Sequence, residues 1–472
     1  MQAFFESKEF EQMLASFEEA QEHGESIFLD SEQLTDIAEY YHWMGRTDDA
    51  AAVADYALSM YEGATAPLVL KARIALLTHN DPKGALALAE QIEDKYDLDY
   101  YYIKAEIFIA INKPDEADLY LETCLDQVGD MEYDDFLLDV ATLFIDYEQT
   151  ALARKWLNRS EETDLNDYQE ILGRILYYEG NYEESIQVFD RLIDNSPYTT
   201  YYWDMLACNQ LALGLLDETI TSCEFAIAIT PNDESALLYK GQALMKLRNY
   251  EEAIGFFDQY GAIRPSNIDG PLNKGLCLIE QEKYAEGIVS LEKAAKAARH
   301  FCPERLWEVE QELVFSYSQA HELNKALECI TMMERLKDAD FDETLVLRGH
   351  VYLENFEQAM ARRCFSKAIE ESGYSPHIMM RVAVSLYDNN YIQTAYNILL
   401  GFRPEDFNTL PQSYAYLAIC AHDLGKDKEY LTYLRQATQL SPASAKAVLS
   451  PLFPDGLQPA DYFEYAQKHH HQ

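Results

Sequence analysis

His321 and Glu322 begin a pattern that could do metal chemistry. A second histidine at position 325 would set two imidazoles one helical turn apart around zinc, with the glutamate as general base. Position 325 is Lys, so the second ligand is missing. The cysteines, Cys124, Cys208, Cys223, Cys277, Cys302, Cys329, Cys364 and Cys420, form no C-x-x-C and none of the spacings of zinc fingers or ribbons. Most fall inside apolar helical patterns, where a thiol behaves as a small hydrophobe, and the expectation is buried, reduced cysteine. His469-His470-His471 is a weak metal-binding tract at what reads as a frayed terminus. There is no G-x-x-x-x-G-K-[ST], no G-x-G-x-x-G after a strand and no G-x-S-x-G elbow. Paired acids abound, but among 82 Asp and Glu they read as solvated helix faces rather than acid–base dyads. The expectation is a chain with no catalytic residues, no cofactor and no metal site.

Composition narrows the class further. Of 472 residues 48% are apolar, enough for a large core, which excludes global disorder. Lys and Arg total 37 against 82 acids, a net charge of −45 that phosphate backbones and anionic lipid repel. Neither nucleic-acid binding nor membrane insertion is expected. Residues 1–150 carry −26 of that charge. Such a surface draws in basic partners, and it also serves as a soluble outer face; the runs Asp94–Asp99 and Asp130–Asp139 fit both readings. Gly (19) and Pro (15) are scarce, which favours helices over a loop-rich or all-β chain. The amino terminus has no basic-then-apolar leader pattern, and no run nears the about 18 apolar residues that span a bilayer. The expected compartment is the cytoplasm.

Helices must therefore position whatever this chain presents, and their order is periodic. Pro197, Pro231 and Pro265 recur every 34 residues; Gly173, Ala207, Gly241 and Gly275 keep the same step, as do Ser185, Thr219, Ala253 and Gly287. Within each unit two small residues lie 12 apart, and a bulky apolar residue (Phe189, Phe257, Leu291) follows the second by one helical turn. Two short helices joined by a tight turn satisfy this pattern, with small residues where the helices cross and Gly180 and Gly214 in the turn. The second small position runs from Ala50 through Ala85, Ala117, Ala153, Ser185, Thr219, Ala253, Gly287, Ala326, Ala361 and Ala395 to Tyr430. Its steps are 32–36 residues except one of 39, which places extra residues near 297–303 as a longer helix or an insertion.

These units resemble the tetratricopeptide repeat, whose pattern is W-x2-L-G-x2-Y, A-x3-F and P over 34 residues. Trp203, Leu206, Ala207, Gly214, Ala226 and Pro231 make the best copy; Gly241, Tyr250, Ala253, Phe257 and Pro265 make the next. The resemblance implies an all-α, right-handed superhelical solenoid of about twelve helix-turn-helix repeats with helical caps. Residues 1–33 are expected to be an amino-terminal capping half repeat, 34–165 divergent repeats, 166–302 the best-matching repeats, 303–444 divergent repeats, and 445–472 a carboxyl-terminal capping helix and tail.

The resemblance also assigns a binding groove to the first helix of each repeat. Its positions here include His42, Trp43, Tyr102, Glu106, Arg174, Tyr177, Tyr178, Asp204, Gln242, His350, Tyr387 and His422. Aromatic and polar groups of this kind can grip an extended or helical peptide, or they can pack adjacent repeats together. The Lys and Asn clamp by which some relatives hold a carboxylate tail is not present: the corresponding positions read Asp204, Cys208, Leu238 and Gln242. The function implied is a non-enzymatic protein-interaction scaffold with basic, helical or extended partner segments. The alternative is a ligand sensor or enzyme whose pocket forms inside the solenoid, near 297–303.

Overall fold

Asp30, Asp97, Asp233 and Asp340 each precede a run of helix-forming residues, and each carboxylate accepts a backbone N–H from the first turn, at 2.8 Å from Gln33 and 3.0 Å from Ala236. Such caps satisfy amides that the helix itself leaves unbonded. The computed structural model describes residues 2–5, 7–23, 27–129, 131–336, 339–454 and 456–469. His470 and His471 of the histidine tract lie outside them. Among the described residues every regular element is helical, and no helix is long and apolar enough to cross a membrane.

The chain divides into two compact units, Met1–Thr230 and Pro231–Gln472. In the first, α1 (Gln2–Phe5) and α2 (Lys8–His23) precede six helix pairs. These are α3 (Ser31–Trp43) with α4 (Thr47–Met60), α5 (Thr65–Arg73) with α6 (Pro82–Ala89), and α7 (Leu98–Ala110) with α8 (Pro114–Leu125). They continue with α9 (Tyr133–Asp146) and α10 (Thr150–Leu157), α11 (Asn166–Tyr178) and α12 (Tyr182–Asn195), then α13 (Thr200–Leu213) and α14 (Leu216–Ile229). The second unit has α15 (Glu234–Lys246) with α16 (Tyr250–Ile263), α17 (Asp269–Glu280) with α18 (Tyr284–Phe301), and α19 (Leu306–Gln319) with α20 (Leu323–Met333). Next come α21 (Phe341–Glu354) with α22 (Gln358–Glu371) and α23 (Pro376–Asp388) with α24 (Ile392–Leu400). A short α25 (Pro404–Thr409) leads to the last pair, α26 (Ser413–Asp423) and α27 (Asp427–Leu440), before α28 (Pro442–Leu449) and α29 (Pro459–His469). Within each unit a second helix packs on its own first helix and on the first helix of the next pair, as α12 does on α11 and α13. The fold is a tandem array of helical hairpins.

One backbone device makes every hairpin turn. A residue with left-handed φ ends each first helix: Gly45, Asn80, Asn112, Glu148, Gly180 and Gly214 in the first unit, Arg248, Glu282, His321, Phe356, Asn390 and Gly425 in the second. The next N–H reaches back to the helix, as Asn181 N does to the Leu176 carbonyl at 2.9 Å and Leu215 N to Gln210 at 2.9 Å, the Schellman closure. Each of these twelve residues stands five before one of the small second-helix positions, so turn and crossing keep a fixed register.

At the crossings the small residues touch. A Cβ on Gly173 would lie 2.7 Å from the ring of the fully buried Phe189, and one on Gly241 would lie 2.6 Å from Phe257. Gly349 stands in the same relation to Phe365. The 39-residue step resolves as a longer helix: α18 runs 18 residues and a 3-10 turn, Pro303–Arg305, follows it. At the ends, α2 buries Phe10 and Phe17 in the core that holds Leu34 and Ile37, and Tyr462 of α29 stacks on Phe453 with ring centroids 3.9 Å apart.

Candidate functional site

The first helices carry polar side chains long enough to reach the first helix of the next hairpin, and many bond there. Arg73 at the end of α5 donates Nε to Glu106 of α7 at 3.0 Å, and Tyr147, just past α9, donates its hydroxyl to the same buried carboxylate at 3.0 Å. Tyr102 of α7 donates to Asp139 of α9 at 2.8 Å, and Arg174 of α11 to Asp146 of α9 at 2.5 Å. In the second unit Tyr387 of α23 donates to Asp423 of α26 at 2.9 Å. Desolvation and the facing carboxylate push the Tyr102 phenol far above its ordinary range, so it remains a donor.

His350 of α21 sits 3.0 Å from the Ser385 hydroxyl through Nδ1 and 3.2 Å from Glu354 through Nε2. Hydroxyl, imidazole and carboxylate thus stand in the order of a nucleophilic triad. Ser385 is 5% exposed and lies inside α23, where the backbone N–H groups are engaged in the helix and cannot stabilise an oxyanion. The array ties α21 to α23; Ser318 of α19 joins it through the second oxygen of Glu354.

The remaining expected positions divide between packing and exposure. Trp43 is 43% exposed and lies against Phe5 and Tyr40, with His42 beside it 3.4 Å from Thr47 Oγ1. Tyr177 packs between Tyr178 and Tyr182. Asp204 is buried in α13, and Gln242 is half-buried on α15. His422 bonds the adjacent Asp423 at 2.9 Å. In the cluster Tyr100-Tyr101-Tyr102 the first two rings are buried and the third is half-buried, stacked on Phe136.

A feature of the first unit joins residues that spacing alone did not single out. Asp36 and Glu39 of α3, Asp99 of α7, Asp139 of α9 and Glu170 of α11 all have carboxyls held above the usual range. Desolvation is the largest cause in each. Neighbouring carboxylates add to it: Asp36 on Glu39, Asp99 on both Glu39 and Asp139, and Asp167 on both Asp139 and Glu170. Arg73 and Arg174 offset this in part. The repulsion runs from helix to helix, so these acids form one anionic face on α3, α7, α9 and α11. Asp99 and Asp139 belong to the acidic runs of the sequence and stand 40 residues apart on the first helices of consecutive pairs. The signal that could have found them is acid at the solvent-side position of consecutive first helices.

Comparison with known proteins adds a family context. Residues 210–294 match the family model described as anaphase-promoting complex, cyclosome, subunit 3. Residues 169–197 and 98–127 match models described as tetratricopeptide repeat. The chain is 21% identical over 236 residues to BBSome complex member BBS4 of Bos taurus, a match covering 49% of this chain and 43% of that protein. It is 23% identical over 214 residues to the DnaJ homolog subfamily C member 7 homolog of Dictyostelium discoideum, covering 40% and 38%. The matched stretch is less than half the length of either relative. Among solved structures, yeast Tom70 superposes over 93% of this chain and 96% of its own with 12% identity and a TM-score of 0.45.

Proposed function

We propose that this chain, whose hairpins match tetratricopeptide repeat models at residues 98–127 and 169–197, is a protein-interaction scaffold whose first-helix face in the first unit receives a basic partner segment. The observation that carries the reading is the set of acids on the first helices α3, α7, α9 and α11: Asp99 repels both Glu39 and Asp139, and Asp167 repels both Asp139 and Glu170. A ligand bearing Lys or Arg relieves that repulsion and gains from it, which favours cationic partners and speeds their encounter. Exposed Tyr178 and Tyr201 on the first helices beside this row offer contact area with little entropy to lose. The scaffold role needs no catalysis, and Arg73, Tyr102, Arg174 and Tyr387 of the first helices are engaged in joining repeats. The compartment we propose is the cytoplasm, in keeping with thiols such as Cys124, Cys223 and Cys420 packed into helical cores.

The test is partner identification by proximity labelling in the native cell, with wild type and an Asp99→Asn/Asp139→Asn variant compared side by side. Partners with exposed Lys- or Arg-rich segments, lost or depleted in the variant, are the expected result. Recovery of the same partners in equal amounts from both forms removes the acidic face from the account.

A further inference from the structure

The second unit contains a cleft of the opposite character. Its floor is α17, its walls are α16 and α18, and its volume is about 960 Å3. It opens between two second helices, away from the first-helix polar ladder, and it lies where the 39-residue step lengthens α18. The extra turn carries Ala297, His300 and Phe301 along the cleft wall.

Small residues clear the space. Gly261, Ala262 and Pro265 form the end of the α16 wall, and Gly270 and Pro271 the floor beneath it. A Cβ on Gly270 would lie 3.2 Å from the Gly261 Cα, so helix and floor meet there without side chains. A Cβ on Gly261 would meet nothing within 4 Å, because that position looks into the opening. The lining is mainly apolar, and two of its large side chains are unusually bare: Phe301 is 63% exposed and Val289 54%.

The rim is cationic in a strongly acidic protein. Lys274, Lys293, Lys296 and His300 face Asp258 and Glu286 there. Lys274 is neutralised by Asp258, at 2.7 and 2.8 Å. Lys293 and Lys296 have no ion-pair partner among the described residues. The segment Lys293–His300 holds Lys293, Lys296 and Arg299 and no acid, in a chain where acids outnumber bases 82 to 37; Arg299 is taken up by Glu310, which leaves the two lysines to the cleft. Two helices flanking an apolar trough of about three turns accommodate a third helix, and the charges select its sign.

The geometry points to this cleft as the docking site of an acidic amphipathic helix from a partner protein, whose apolar stripe lies on Val289, Phe301 and Ala262 and whose carboxylates meet Lys293 and Lys296. It differs from the acidic face of the first unit in helices, in chemistry and in the sign of the partner, so the two assignments stand or fall separately.

The probe is a 14-residue synthetic helix with Leu and Phe at i, i+3, i+4 and i+7 spacing and Glu or Asp elsewhere, labelled for fluorescence anisotropy with the full chain. A charge-swapped peptide with Lys and Arg is the control. Two variants test the site: Lys293→Glu/Lys296→Glu reverses the rim, and Gly261→Leu fills the trough at a position where the fold has room. The expected result is binding of the acidic peptide that falls at least about tenfold in each variant and weakens as salt is raised, with thermal midpoints kept. The basic peptide should be indifferent to both. Equal affinity for the two peptides, or acidic-peptide binding untouched by Gly261→Leu, overturns the assignment. So does association with phosphatidylserine vesicles, or with a small aromatic acid, in the absence of peptide binding.

Discussion

The Ser185 hydroxyl donates to the Gly173 carbonyl at 2.8 Å, joining α12 to α11 across the 12-residue interval that recurs along the chain. The bond forms because neither residue holds the helices apart: Gly173 has no side chain, and both residues are buried. Phe189, one turn beyond Ser185, then lies over the bare backbone of Gly173.

A methyl group at that spot should be felt. Gly173→Ala puts a Cβ 2.7 Å from the Phe189 ring, which must shift inside a packed core, at a cost of about 1–3 kcal/mol. Gly255, in the interior of α16, has nothing within 4 Å of the place an added methyl would occupy, so Gly255→Ala should stabilise by about 0.5–1 kcal/mol. Urea denaturation of the two variants measures both; equal effects would show that crossings do not depend on bare backbone.

Five hairpin turns hold residues other than Gly or Asn in the left-handed region, among them Arg248 at φ 61° and Phe356 at φ 63°. The conformation costs an L-residue roughly 1–2 kcal/mol, and glycine returns part of that gain as unfolded-state entropy. Arg248→Gly and Phe356→Gly should each raise stability by about 0.5–1 kcal/mol. Phe356 is 83% exposed, so little packing is lost with its ring. A lowered thermal midpoint in both would contradict this reading of the turns.

The acidic face makes a prediction about pH. A carboxyl whose folded pKa is raised binds its proton more tightly in the folded chain, so its charge opposes folding at neutral pH. That penalty shrinks as pH falls through the raised values of Asp36, Glu39, Asp99, Asp139 and Glu170. Glu122 acts in the opposite sense: although desolvated, it is lowered by Lys155 and Arg159, and its contribution is lost as pH falls through its folded value. Glu90, Glu354 and Asp406 act in the same sense as Glu122, while Asp190, Glu312, Asp342 and Asp388 are raised like the five. With nine carboxyls raised against four lowered among the described residues, the thermal midpoint at low salt should rise as pH is lowered from neutral toward the raised values, and added salt at neutral pH should mimic the change. Asp99→Asn/Asp139→Asn should reduce the rise; a midpoint that falls steadily with acidification would refute the claim.

Glu106 should be the most sensitive member of the polar ladder. It is 5% exposed and receives both Arg73 and Tyr147. Glu106→Ala should cost about 1.5–3 kcal/mol, because it removes a charged acceptor from two donors. Glu106→Gln keeps an acceptor for Tyr147 and should cost less. Chemical denaturation that ranks the two in the reverse order would place the bond network outside the stabilising interactions.

Much of the array was legible because its determinants are local. Small residues 12 apart and breakers near 34 report a hairpin directly, since a helix pair can cross closely only where side chains are absent. The same spacing located the lengthened α18, although it could not distinguish a longer helix from a loop. Groove positions were legible as positions, but not as roles. Tyr102, Tyr387 and His350 read equally well as recognition or packing, and only the first helix of the following hairpin shows that Asp139, Asp423 and Ser385 stand within hydrogen-bonding reach of them.

The amino-acid order by itself determined the hairpin, its turn and its repetition, because each depends on residues within one 34-residue interval. Only tertiary structure decided which acids repel one another and where a cleft opens. Those properties belong to side chains from different hairpins: Asp99 feels Asp139, and Gly261 faces α18, through distances that exist only after the helices have packed.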